Sequence, residues 1–163
     1  RRAPDQRHRV RVPGVEGAKC LERWDGPGTI KVVIAGVGMG PADAEVVGAC
    51  FLHIDEHRPA GGPVLTVVSA TPVVISIEAS VTLQAGYTAE AVVDAFVPVF
   101  TAWLHHQAFS SIYISHAQVG KLLASMPGVT DYDSATLLIN GAFGNLALVG
   151  TAVPVAGTVT LHG

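Results

Sequence analysis

Residues 21–80 read LERWDGPGTIKVVIAGVGMGPADAEVVGACFLHIDEHRPAGGPVLTVVSATPVVISIEAS. Strand, turn, loop and helix signals follow one another here in an order that decides the fold. Asp25-Gly26-Pro27-Gly28 is turn chemistry: glycine supplies a positive φ and proline pre-sets a turn position. It separates an expected strand over 18–24 from another over 29–35, where Ile30, Val32 and Ile34 alternate with Lys31 and Val33. A glycine loop spans 36–40. Pro41 suits a first helical turn. Residues 42–57 are expected to be helical, with Val46, Val47, Cys50, Phe51 and Ile54 at three- and four-residue spacing on one face. The run RPAGGP at 58–63 ends that helix. Two strands follow, over 64–69 and 73–84. In the second, Val73, Ile75, Ile77, Ala79, Val81 and Leu83 alternate with Val74, Ser76, Glu78, Ser80 and Thr82, the pattern of a long half-buried strand.

Beyond this stretch, Thr88 is placed to cap a helix running to about His105 or His106. Val92, Val93, Phe96, Phe100, Trp103 and Leu104 form its apolar face. Pro98 interrupts it. A mid-helix proline costs about 3 kcal/mol, so a bend or two short helices are expected there. A short extended piece is expected over 112–114. Ser115 with Gln118 fits a capping box. The helix it opens buries Val119, Leu122, Leu123 and Met126, and Pro127-Gly128 stops it. A strand is expected over 129–139, a turn at Asn140-Gly141 and a last strand over about 157–162. Pro13-Gly14-Val15 is echoed by Pro127-Gly128-Val129. Both lead into a strand, which suggests two related modules, the first cut at its N-terminal end.

The expected fold class is α+β: two small related α/β modules, each with mainly antiparallel strands packed against one or two helices. The expected organisation is a basic arm over 1–12, a first module over 13–71 and a second over 72–163. At 49% apolar and 14% charged residues the chain has the makings of a core and is not broadly disordered. No uncharged apolar run is long enough for a membrane helix. The chain begins with Arg and lacks a secretory leader pattern, which reads as a fragment or a processed product. Arg1, Arg2, Arg7, Arg9 and Arg11 supply half of the basic residues. An arm for nucleic acid or an acidic partner is one reading of them. From residue 12 onward, five basic residues face twelve acidic ones. Such a surface repels phosphate, which favours a solvated end. Cys20 and Cys50 make no disulfide framework, which suits a reducing cytoplasm.

Several motifs invite a chemical reading, and each fails on detail. Gly36, Gly38 and Gly40 lie between a strand and a helix, the context of a dinucleotide-binding loop, and Asp55 or Glu56 lies near the distance of a ribose-binding acid. The third glycine comes one position early for that fingerprint, and the acids sit near a helix end. His53 and His57 stand one helical turn apart and could share a metal, but the HIDEH order lacks the acid directly after the first His, and two histidines are too few. His105 and His106 suit the C-terminal end of a helix dipole, whereas His116 gains nothing from its position. A Ser110, His116 and Asp131 triple has no nucleophile elbow. Phe96, Phe100 and Trp103 read as core. Asp131, Tyr132 and Asp133 read as a solvated strand entrance. No catalytic, cofactor-binding or metal-binding residue is assigned.

Certain pieces combine in a specific order: Pro13-Gly14-Val15, the run ERWDGPGT at 22–29 with Lys31-Val32-Val33, and Arg58-Pro59-Ala60-Gly61 after the helix. Val67 and Val73-Val74-Ile75 lie in the strands beyond. A Ser-capped helix, Pro127-Gly128-Val129, Asp131-Tyr132 and a valine-rich last strand close the pattern. From Pro13 onward the chain thus resembles the C-terminal half of baseplate J-like proteins of contractile phage tails and tailocins. Ala60 departs from the pattern, where a larger aliphatic is common, and so does Pro98. The resemblance implies a structural wedge protein and not an enzyme. It implies contacts with copies of itself and with neighbouring wedge proteins, in a ring around the hub that changes shape when the tail contracts. It implies a place in the virion tail baseplate, assembled in the bacterial host cytoplasm, with no cofactor, metal, nucleic acid, membrane or small-molecule substrate. The alternative is a small-ligand-binding regulatory module using the loop from Gly36 to Gly40. A hydrolase using one of the histidine clusters is a third reading.

Overall fold

The computed structural model describes residues 12–163. The basic arm read from the sequence spans 1–12, and of it only Val12 lies among the described residues. That residue is buried beside Ile34 and Cys50. The chain divides into two compact units, one ending at Ala70 and the other spanning Thr71–Gly163.

In the first unit, β1 (Gly17–Glu22) and β2 (Thr29–Ala35) form an antiparallel hairpin. Its tip is the quoted turn, with Gly26 at φ +92° and Gly28 at φ +78°. The Thr29 hydroxyl accepts from Asp25 N and donates to the Gly26 carbonyl, which locks the turn. Helix α1 (Ala44–His57) follows, and β3 (Val64–Ser69) then pairs parallel to β2. One face of the sheet carries Val32, Ile34 and Val67, which pack with Val46, Val47, Cys50 and Ile54 of the helix. Helix α1 begins two residues later than expected. Pro41 lies in a bridge to Ala35 instead of the first turn, and Ala42 N donates to the Ser69 hydroxyl at 2.8 Å. Loop closure decides that start. Gly36 N donates to Gly40 O, and a Cβ on Gly36 would lie 2.6 Å from the Pro41 carbonyl oxygen.

The second unit is built on β4 (Thr71–Leu83). Its alternation is realised: Ile75, Ile77, Ala79 and Val81 are buried, while Val74, Glu78 and Thr82 are exposed. Helix α2 (Ala89–Gln107) buries Val92, Phe96, Phe100 and Leu104. These four residues join the β4 residues in one core. A fully buried Phe contributes roughly 1.5–3 kcal/mol, so the stacked Phe96–Phe100 pair (centroids 5.3 Å apart) anchors this helix. Thr88 caps it as expected, accepting from Ala91 N. After α2 come β5 (Tyr113–Ile114) and α3 (His116–Ala124), capped by Ser115 accepting from Gln118 N. Next are β6 (Val129–Tyr132), β7 (Leu138–Ile139), β8 (Leu146–Ala147) and β9 (Ala152–His162). On one edge of β4 lies β9, parallel; on the other lie β6 and β7, antiparallel. Strands β5 and β8 form a separate antiparallel ribbon.

The structure thus has an α+β fold, and besides the later start of α1 it departs from the sequence reading at three further points. The single strand expected over 129–139 is two strands. Asp133 breaks it: its carboxylate accepts from Ala135 N, and its carbonyl accepts from both the backbone N–H and the hydroxyl of Thr136. Such local bonds compete with a ladder. The last strand starts at Ala152, well before 157, with a register shift opposite Ile75–Ile77 where Gly157 lies. A Cβ on Gly157 would come within 2.7 Å of the Val74 and Ser76 side chains. Lastly, α2 does not divide at Pro98, because the proline sits on the exposed face, as does Asp94, whose carbonyl it leaves without an amide partner. Water can satisfy that carbonyl, while the buried stripe continues on the opposite face.

The two modules share more than the echoed tripeptide. Val15 N donates to Val12 O, and Val129 N donates to Met126 O, both at 3.2 Å. Gly14 and Gly128 have φ of +87° and +89°. Both are type II turns with proline at the first central position and glycine at the second.

Pro98 generates a test. Replacing it with Ala restores an amide to the Asp94 carbonyl and a better helix former to an exposed site. Pro98→Ala is expected to raise unfolding free energy by roughly 1–3 kcal/mol in urea denaturation. A loss of stability would mean that the helix needs the proline's geometry.

Candidate functional site

The glycine loop is the strongest chemical signal in the sequence, and its geometry is clear. Residues Val37–Met39 form a 3-10 turn, with Gly38 at φ +68°. The N–H groups of Gly38 and Met39 point together, as in an anion-binding nest. The nest is filled from within: one carboxylate oxygen of Glu16 accepts from Gly38 N at 2.8 Å and from Met39 N at 3.3 Å. Glu16 is itself fixed, because its backbone N–H donates to the Ala35 carbonyl. The strand before the loop is more than a hairpin arm, since β2 also runs parallel to β3 through α1. The context is therefore nearer to a nucleotide-binding βαβ unit than the sequence indicated. Nevertheless the donors a phosphate would use already hold a carboxylate, and Asp55 and Glu56 lie on α1, with Asp55 bound to Arg58.

The histidines are also engaged elsewhere. His53 and His57 stack with centroids 4.5 Å apart, and His57 Nδ1 lies 2.7 Å from the His53 carbonyl oxygen. Among the described residues, no three His, Cys, Asp or Glu side chains gather as a metal site. His105 and His106 end α2 as the dipole favours. His116 Nε2 bonds the Leu137 carbonyl, and its ring tilts against Phe143 with centroids 4.6 Å apart. The triple of Ser110, His116 and Asp131 is not wired together. The Ser110 hydroxyl donates to His106 O, and the Asp131 carboxylate accepts from Tyr132 N. Phe96 and Phe100 are core, whereas Trp103 is half-buried and lines a groove with Gln118, Lys121, Leu122 and Ser125. Asp131 and Asp133 are exposed and Tyr132 is half-buried.

Two surface features escaped sequence reasoning. At the β1–β2 tip, Lys31 Nζ sits 3.5 Å from the ring centroid of Trp24, and the preceding Arg23 has φ +55°. Around the β5–β8 ribbon, Ile112, Tyr113, Phe143 and Val149 are exposed. Neither follows from periodicity, because both depend on turns that present side chains outward.

Cys50 is buried and Cys20 is exposed on β1. Burial pushes the Cys50 thiol up; burial first, and the Glu22 carboxylate second, push Cys20 up. Both thiols therefore hold less thiolate at neutral pH than a free cysteine.

These contacts yield two expectations. Glu16→Ala removes the acceptor of two backbone N–H groups and should cost about 0.5–2 kcal/mol, the range for a lost cap, in chemical denaturation. An unchanged midpoint would show that water serves those donors equally well. In maleimide labelling near pH 7.5, Cys20 should react more slowly than a free cysteine, and Cys50 only after unfolding. Rapid labelling of Cys50 in the folded chain would contradict its burial.

Comparison with known proteins places this fold. The baseplate J-like central domain matches residues 6–69, and the baseplate J-like protein C-terminal domain matches residues 75–162. The Phage-like element PBSX protein XkdT of Bacillus subtilis (strain 168) is 28% identical over 156 residues. The uncharacterized protein YqbT of the same organism is 27% identical over 156 residues. Each alignment covers 92% of this chain and 44% of the relative, so the chain spans less than half the length of these curated relatives. Among solved structures, a chain from the cryo-EM structure of the anti-feeding prophage (AFP) baseplate, 6-fold symmetrised, shares the fold. Its TM-score is 0.61 at 10% identity, covering 88% of this chain and 34% of that one. The family matches fall on both units and together span most of the sequence: this chain belongs to the baseplate J-like family.

Proposed function

We propose that this chain is a structural wedge component of a contractile phage tail, prophage or tailocin baseplate. In this reading it makes ring contacts with copies of itself and with neighbouring wedge proteins. It resides in the virion tail baseplate after assembly in the bacterial host cytoplasm, and it works as a scaffold and not as an enzyme. The observation that carries the reading is that the two units match two domains of one family, the central and the C-terminal. The division into assembly modules over 13–71 and 72–163 belongs to the same reading. The chemistry of the described residues is consistent with it, because the nest, His57, Ser110 and His116 make their hydrogen bonds within the fold. The competing reading, a small-ligand module at Gly36, Gly38 and Gly40, is disfavoured by the Glu16 carboxylate in that nest. Partners, and not a cofactor, would then supply the stability and the work of the protein.

Co-expression with the products of the genes beside its own, followed by affinity capture, tests this function. Stable recovery of a neighbouring tail protein is the expected result. If no adjacent product is retained, the assembly role fails.

A further inference from the structure

We propose that Asn140 is a spontaneous modification site: a deamidating asparagine that the fold protects while the edge of β4 is closed and releases when that edge opens. The sequence supplies the reactive pair. Asn140 and Asn145 are the chain's asparagines, and Asn140 alone is followed by glycine. An asparagine side chain is labile when the next backbone nitrogen can reach its Cγ. Gly141 offers that nitrogen with no Cβ in the way, whereas Leu146 does not. A Cβ built on Gly141 would meet nothing within 4 Å, so no neighbouring group crowds the approach. The reaction needs only water. The Gly141 nitrogen bonds to Asn140 Cγ and gives up its proton, and the side-chain nitrogen leaves as ammonia, closing a cyclic imide. Water then adds to one imide carbonyl and breaks its bond to the ring nitrogen. Opening at Cγ gives aspartate; opening at the main-chain carbonyl carbon gives isoaspartate.

The folded chain holds Asn140 off this path. Asn140 and Gly141, at φ +52° and +77°, are the central residues of a two-residue turn. Ile139 N donates to Ala142 O at 2.9 Å and Ala142 N donates to Ile139 O at 3.1 Å, which closes it. Such a turn needs positive φ at both positions, which asparagine followed by glycine suits best. The side chain is then clamped at both ends of its amide. Its Oδ1 accepts from Ser76 N at 2.7 Å, and its Nδ2 donates to Val74 O at 2.9 Å. The Asn140 backbone N–H also donates to Ser76 O at 2.9 Å. All three bonds go to β4, so Cγ is held against that strand and cannot swing onto Gly141 N until they break. Asn140 is exposed to water, so the protection comes from the clamp and not from burial. Conversion also changes the clamp. A carboxylate accepts hydrogen bonds and donates none. It can still accept from Ser76 N, but its other oxygen faces the Val74 carbonyl, acceptor against acceptor. The modification is thus one-way: an open edge exposes the site, and the product keeps the edge from closing as before.

Peptide mass spectrometry with fragment-ion localisation tests this on the unaltered chain, held in mildly alkaline buffer with and without denaturing guanidinium chloride. In the unfolded chain Asn140 should gain the mass of an amide turned acid well ahead of Asn145. In the folded chain it should convert about tenfold or more slowly, because hydrogen bonds each worth a factor of about five must open first. Equal rates in the folded and unfolded chain overturn the clamp. A rate at Asn140 no faster than at Asn145 in the unfolded chain overturns the site. Asn140→Asp, which tolerates the same backbone conformation, should shift the unfolding equilibrium about tenfold toward the unfolded state in urea denaturation. If that variant does not fold, Asn140→Gly replaces it, since glycine suits the turn and removes both side-chain bonds without adding charge. Stability equal to that of the unaltered chain overturns the one-way consequence. These readings stand apart from the assembly role, which co-purification tests.

Discussion

A central strand buried in a sheet must have its peptide groups paired along both edges, and that requirement organises each unit. β2 is satisfied by antiparallel β1 on one side and parallel β3 on the other. β4 is satisfied by β6 and β7 on one side and parallel β9 on the other. The helices follow from this arrangement. α1 makes the crossover from β2 to β3, and α2 lays its Phe96–Phe100–Leu104 stripe into the core that β4 shares. Where β7 ends, Asn140 completes the edge of β4 with its side chain. Its amide oxygen accepts from Ser76 N, and its amide nitrogen donates to Val74 O.

Much of this was legible in the sequence, because the signals are local. The alternation from Val73 to Leu83, the cap at Thr88, the turn at Asn140-Gly141 and the stop at Pro127-Gly128 all rest on nearest neighbours. What was not legible depends on distance or on facing. The parallel pairing of β4 with β9 joins segments whose sequences do not announce each other. Pro98 looked like a break because its cost is local, while its mitigation comes from the exposed side of the helix. Asp133 was read as the polar start of a strand, because its side-chain bond to Ala135 N competes with the ladder in a way that composition does not reveal.

The candidate site was legible in a different sense. The glycine loop was rightly singled out as a place where backbone N–H groups converge, but its occupant, Glu16, lies on the far side of the β1–β2 hairpin in sequence. A motif scan sees the donors and misses the acceptor. The ERWDGPGT run behaves similarly. Trp24, Gly26, Gly28 and Thr29 each have a conformational task at the hairpin tip, so the residues that carry the family likeness build the fold.

The two echoed Pro-Gly-Val turns lead into β1 and β6, each antiparallel to a central strand, yet the chain visits those strands in different orders. In the first unit the antiparallel neighbour precedes the central strand; in the second the central strand comes first. The two strand orders have consequences for how each unit folds. Thr29 finds its parallel partner at Val64, whereas Thr71 must wait for Ala152, across more than twice as much chain. Each doubling of a closed loop costs about 0.6 kcal/mol in chain entropy, and such distant pairings slow folding. On a ribosome the first unit can close its sheet while the second still lacks β9. Until β9 emerges, one whole edge of β4 stays open to whatever extended strand it meets first.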